Sequence, residues 1–258
     1  DKNWQVISIK ALPQNKRFCL RAWIHIDKLT LVNTPSLFVG MLAASEFYWD
    51  EVSISKNGVV GDSAEDEIPG TIKTIARLTN NQISNGTHLL SGELSTFKVG
   101  RDLESIGYIL SIVDEHEFQT TILTLSAVSA IFIGVSAILA VIFQLIYWLY
   151  QKETYYQIFS IFCFASTVIL TAEQAKFWLD YPYDWHVSRL TLIFIFTFIS
   201  SLLLPVFYLF SYQLPYRKYL IAGLFIGLVA PSFVTLSFDE TSALLFSAAL
   251  TCALLINI

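Results

Sequence analysis

The stretch TILTLSAVSAIFIGVSAILAVIFQLIYWLY, residues 121–150, contains no charged side chain. It lies within an uncharged run of 34 residues between Glu117 and Lys152. As an α-helix, residues 121–150 would rise about 45 Å, against a hydrocarbon core of about 30 Å. The stretch therefore reads as a membrane-spanning helix that tilts or projects beyond the bilayer. Tyr147, Trp148 and Tyr150 form an aromatic belt at its end, the placement expected at a membrane–water interface.

Downstream, four further spans are expected at about 154–172, 190–212, 219–238 and 241–258, each uncharged for 18 residues or more. Five spans are thus visible. The loops after the first and third carry Lys152, Glu153, Arg217 and Lys218. Those after the second and fourth carry Glu173, Lys176, Asp180, Asp184, Arg189, Asp239 and Glu240. The basic excess in the first pair places those loops in the cytoplasm and the N-terminal region outside. Both cytoplasmic loops are too short to hold a catalytic domain. The chain opens at Asp1 without an initiator Met and stops at Ile258 inside an apolar run, so it reads as a piece of a longer protein.

Upstream, the composition changes. The chain is 54% hydrophobic and 14% charged, where a soluble domain carries about 25% charged residues. Residues 1–119 nevertheless hold 11 of the 16 Lys+Arg and 15 of the 21 Asp+Glu. This divides the chain into a polar domain, 1–117, and an apolar one, 118–258. A net charge of −5 without a basic stripe excludes nucleic acid as a partner. Cys19, Cys163 and Cys252 form no CxxC or Cys/His cluster, and no metal or other cofactor is implied.

The polar domain reads as all-β. Residues 18–26 alternate large apolar with polar or small side chains, and 37–42, 47–54, 72–78, 88–94 and 106–113 are further strands separated by Asn- and Gly-rich breaks. Asn57-Gly58 supplies the dipeptide favoured in a tight hairpin turn. Such spacing predicts a β-sandwich.

The segment Asp50-Glu-Val-Ser-Ile-Ser-Lys-Asn-Gly-Val-Val-Gly resembles a hairpin of jelly-roll domains related to galactose-binding modules, and Cys19-Leu-Arg-Ala-Trp looks like the strand before it. With several helices following, the architecture resembles bacterial seven-transmembrane receptors with diverse intracellular signalling modules. That resemblance implies a jelly-roll sensor domain, a multi-pass bacterial inner-membrane location and a homodimer. It also implies a cytoplasmic diguanylate cyclase, histidine kinase or nucleotide cyclase outside this chain. Only five of the seven spans are present, and no output domain is.

Candidate residues follow from chemistry. Trp23, Tyr48 and Trp49, together with Trp4, are suited to stacking on a sugar, with core filling as the competing reading. Asp62–Glu67 is an acidic run without the ordered spacing of a calcium loop. Glu173 and Lys176, three apart, can pair on one helix face, and Glu173 is a candidate ligand or proton group at the interface. Trp185 and His186 lie in an aromatic cluster, 181–186, that serves as anchor or contact surface. Glu115, Glu117 and Phe118 entering the first span, with Tyr181 and Arg189, form the expected coupling surface between domain and helices. Pro205 and Pro231 are kink positions, and Gly223 and Gly227 permit close helix approach. No catalytic constellation is present: His25, His88, His116 and His186 lack nucleophile partners in the sequence.

The function expected is a sensory receptor that detects a small molecule, carbohydrate or protein outside and relays it inward. A small transporter or channel, or an envelope scaffold, are the alternatives. The absence of mid-membrane charge weighs against ion-coupled transport.

Overall fold

The computed structural model describes residues 12–27, 33–79, 81–99, 107–150, 152–213, 216 and 218–223. Within them are seven strands followed by three long helices: β1 (Arg17–Ile26), β2 (Pro35–Met41), β3 (Ala44–Trp49), β4 (Val52–Asn57), β5 (Lys73–Arg77), β6 (Gly86–Ser95), β7 (Tyr108–Asp114), α1 (Glu115–Leu149), α2 (Thr154–Trp178) and α3 (His186–Ser211). A 3₁₀ turn, Tyr183–Trp185, leads into α3.

The strands form two antiparallel sheets, ordered β1-β6-β3-β4 and β5-β2-β7. Alternation places Leu37, Val39 and Met41 of β2 in a core shared with Phe47 and Trp49 of β3 and Leu90 and Leu94 of β6. Burying such side chains contributes about 1.5–3 kcal/mol each, and this is what holds the two sheets together.

Two features of the expected fold are corrected. A jelly roll has eight strands in two sheets, whereas the described residues give seven, split four and three, in an order that is not clearly a jelly roll. In place of the five expected spans, the described residues hold three helices long and apolar enough to cross a membrane: Glu115–Leu149, Thr154–Trp178 and Tyr183–Ser211. Of the span expected at 219–238 only 219–223 are described. The span at 241–258 lies outside the described residues, as do Trp4, Gly227 and Pro231.

The strand expected at 47–54 is in fact two strands. Trp49 pairs with Val52, so Asp50 and Glu51 form the two-residue turn, with φ of 46° and 68°. Positive φ at both positions is the hairpin geometry expected at Asn57-Gly58. Asn57 instead ends β4, paired with Ser45, and Gly58 (φ 75°) turns the chain into an isolated bridge between Val59 and Ile68.

The chain divides into two compact units. One comprises residues 1–125 and 176–187; the other comprises 126–175 and 188–258. In the second, α1 and α2 exchange hydrogen bonds: the Ser136 hydroxyl donates to the Cys163 carbonyl (2.9 Å) and the Ser160 hydroxyl to the Ala140 carbonyl (2.7 Å). Phe159 packs on Phe143 and on Phe207, with centroids 4.5 and 5.1 Å apart. Pro205 lies inside α3 and is buried. Its missing N–H leaves the carbonyl of Ser201 without the usual helical donor.

Candidate coupling interface

The first unit joins the β-strands to the start of α1 and to the connection between α2 and α3. The outward face of the sheet β5-β2-β7 carries three rows set by register: Arg77–Ser36–Val113, Ile75–Phe38–Ser111 and Lys73–Gly40–Ile109. Each row has a partner on a helix end or lies next to one that does.

Glu115 takes a bidentate contact from Arg77, Nε at 2.5 Å and Nη2 at 3.2 Å, and a third bond from the Ser36 hydroxyl at 3.3 Å. That contact holds the Arg77 guanidinium above its ordinary pKa. Phe118 packs on Phe38 with its ring tilted by 48°, centroids 4.7 Å apart. Asp114, the last residue of β7, caps α1: its carboxylate accepts the N–H of His116 (3.0 Å) and of Glu117 (3.3 Å), satisfying donors that a helix start leaves open. The same carboxylate accepts the Asn33 N–H at 2.8 Å and the Thr34 hydroxyl at 3.0 Å. These bonds, Asn33 foremost, pull the Asp114 carboxyl down to about 2.

The α2–α3 connection is held just as firmly. Lys73 Nζ donates to the Phe177 carbonyl at 2.9 Å. Thr71 bridges Pro182, and the Tyr183 N–H donates to the Gly70 carbonyl at 2.9 Å. Tyr183 is 1% exposed, lies in the β core cluster, and its hydroxyl donates to Glu67 at 2.5 Å. Glu67 is itself 0% exposed and also accepts the N–H groups of Phe97 (3.1 Å) and Lys98 (2.7 Å). A buried carboxylate is tolerable only when its lone pairs are satisfied in this way. Beside it, Asn57 clamps the backbone of Thr71 from both sides, accepting its N–H at 2.7 Å and donating to its carbonyl at 2.6 Å. Glycine is required where these segments cross, because a Cβ on Gly70 would collide with the Asn57 side chain. A Cβ on Gly58 would lie 2.6 Å from the Gly70 nitrogen.

The expected coupling residues thus fall in several places. Glu115 and Phe118 touch the sheet, whereas Glu117 is exposed and contributes its backbone N–H to the cap. The Tyr181 hydroxyl lies 3.3 Å from His186 Nδ1. Arg189 belongs to the second unit, where it meets Glu173 at 3.1 Å and the Ala172 carbonyl at 3.2 Å.

The expected ligand residues do not form one cluster. Trp23 is 73% exposed on the outward face of the sheet β1-β6-β3-β4. Tyr48 shares that face, aligned with Ser91 of β6 and through it with Arg21 of β1. Trp49 is in the core, its indole N–H donating to the Gln82 carbonyl at 2.7 Å. Trp185 is 66% exposed on the connection. Among the described residues no group of His, Cys, Asp and Glu could hold a metal ion.

Sequence reading took 181–186 as an aromatic contact cluster without singling out Tyr183, read Glu67 and Asn57 only as turn residues, and missed Asp114. The acidic run 62–67 reads as an exposed turn, and most of it is; only Glu67 points inward. Asp114 before an apolar helix carries an N-cap signal that could have been read. The Glu67–Tyr183 bond spans 116 positions, and no local pattern announces it.

No family model matches the chain, and no curated protein or solved structure matches it either.

Proposed function

We propose that this protein is a membrane sensory receptor in which the β unit meets a stimulus outside and displaces the outer ends of the membrane helices. The reading rests chiefly on the Glu67–Tyr183 bond. It fastens the α2–α3 connection into the core of the β unit, while Asp114, Arg77 and Phe38 fasten the start of α1 to the same unit. An anchor would need only a tether. Three helix ends held by buried and bidentate bonds suit a unit that moves them together.

In this reading the N-terminal unit is extracytoplasmic, as the basic excess in the loops after α1 and α3 favours. The stimulus meets the face bearing Trp23 and Tyr48. A stimulus is transmitted only if it binds one helix arrangement better than the other.

The test uses the chain in lipid nanodiscs with Cys19, Cys163 and Cys252 replaced by Ser and spin labels at Tyr150→Cys and Gln213→Cys. Tyr183→Phe should shift or broaden the distance distribution between the labelled ends of α1 and α3. An identical distribution in wild type and Tyr183→Phe would remove the relay.

A further inference from the structure

The β3–β4 turn is strained. Asp50 and Glu51 both occupy the left-handed region, with φ of 46° and 68°. That conformation is unfavourable for a non-glycine residue, so something must hold it. The Asp50 carboxylate accepts the Leu89 N–H at 2.8 Å, and the Asp50 N–H donates to the Leu89 carbonyl at 2.9 Å. The other carboxylate oxygen lies 2.6 Å from Nδ1 of His88, and Nε2 of the same ring lies 2.8 Å from the Ser84 carbonyl oxygen. His88 is buried and its ring is tilted over Trp49, centroids 5.5 Å apart.

A carbonyl oxygen and an ionised carboxylate can only accept. Both ring nitrogens must therefore donate, which requires the imidazolium. A neutral ring has one N–H for two acceptors.

We propose that Asp50, His88 and the Ser84 carbonyl form a proton-operated clasp on the β3–β4 turn. It is closed while the His88 ring carries both N–H protons, and it loosens as pH rises and one proton leaves to solvent. The inference is independent of the receptor reading, since it concerns the β unit alone.

Among the described residues, Asp50 is the charged partner. From β3 the ring meets Trp49; from the turn it meets Asp50, with Glu51 exposed beyond; from the segment before β6 it meets the Ser84 carbonyl. On β1 its register partner is Ile24, and the adjoining His25 is occupied by Asp27 (2.9 Å) and the Thr87 hydroxyl (3.0 Å). The bond to Asp50, then that to Ser84, hold His88 above its usual value against the desolvation of its site. Burial alone would push the Asp50 carboxyl up, but the His88 bond, the Leu89 N–H and the His88 charge outweigh it and hold it low.

The direction follows by linkage. The clasp contributes fully below the unfolded histidine value of about 6.5, and its contribution is lost as pH rises through the raised value in the folded protein. On the acid side, the Asp50 contribution is present above about 3.9 and lost as pH falls through its lowered value.

The test follows the His88 ring nitrogens by NMR in the full chain in nanodiscs from pH 5.5 to 9. Exchange of the Leu89 amide, corrected for its intrinsic pH dependence, is measured alongside. The expected result is a doubly protonated ring at pH 6.5 and a loss of Leu89 protection of about tenfold across its titration. His88→Gln should abolish the pH step, whereas His25→Gln should keep it. If His88→Gln does not fold, the wild-type titration decides. A ring with one proton at pH 6, or Leu89 protection that is flat while the ring titrates, overturns the clasp.

Discussion

Tyr183 and Glu67 show how one side chain can turn a loop into part of a core. The phenol fills space among apolar side chains, and its hydroxyl supplies the third donor to a carboxylate with no access to water. Tyr183→Phe keeps the ring and removes that donor, so it should cost about 1.5–3 kcal/mol, the worth of a hydrogen bond to a charged group. Thermal unfolding of the purified chain in detergent checks this. Glu67→Gln should cost at least as much, because an amide NH₂ in place of either oxygen would confront a backbone N–H, of Phe97 or of Lys98, that can only donate. Asp114 gives a residue-scale pH dependence. Its carboxyl lies at about 2, so its contribution is present above the unfolded value of about 3.9 and lost as pH falls through about 2. Tryptophan fluorescence should therefore hold from about pH 6 to 4 and change below, and Asp114→Ala should remove part of that acid step, Asp50 supplying another part.

At the scale of elements, the β3–β4 hairpin is the clearest case of tertiary contact overruling local preference. Asn57-Gly58 has the better turn chemistry, yet the turn forms at Asp50-Glu51. Trp49 and Val52 must pair so that Phe47 and Trp49 both face the core, and a slip of register would expose them. Glu51 is exposed and its conformation suits glycine, so Glu51→Gly should stabilise the hairpin by about 0.5–1 kcal/mol after the added freedom of the unfolded chain is deducted. A rise in the melting temperature of the β unit is the readout. Between α1 and α2, Ser160→Ala removes one interhelical hydrogen bond and should cost only about 0.6 kcal/mol, measurable by unfolding in mixed micelles.

At the scale of the whole molecule, the connection 176–187 belongs with the strands rather than with the helices it joins. Hydrogen exchange should reflect that membership. The amide of Tyr183, bonded to the Gly70 carbonyl, should exchange as slowly as amides of the sheets in wild type. In Glu67→Gln, exchange across 176–187 should quicken before the sheets open. Equal exchange in both proteins would mean that the phenol–carboxylate bond does not hold the connection.

What the sequence determined by itself was whatever local composition can encode. Charge-free runs of 18 residues or more mark helices that must bury their backbone groups internally in lipid, and α1, α2 and α3 lie where those runs lie. Alternation marked the strands, though only pairing could divide 47–54 into two. Glu115 and Phe118 were legible because they sit at the start of an apolar helix. Tertiary structure alone decided the order β1-β6-β3-β4 and β5-β2-β7, the inward turn of Glu67, the core position of Trp49 and the docking of Tyr183. Each depends on partners far apart in sequence, and a hydrogen bond or packing contact across 116 positions leaves no trace in the spacing of either residue's neighbours.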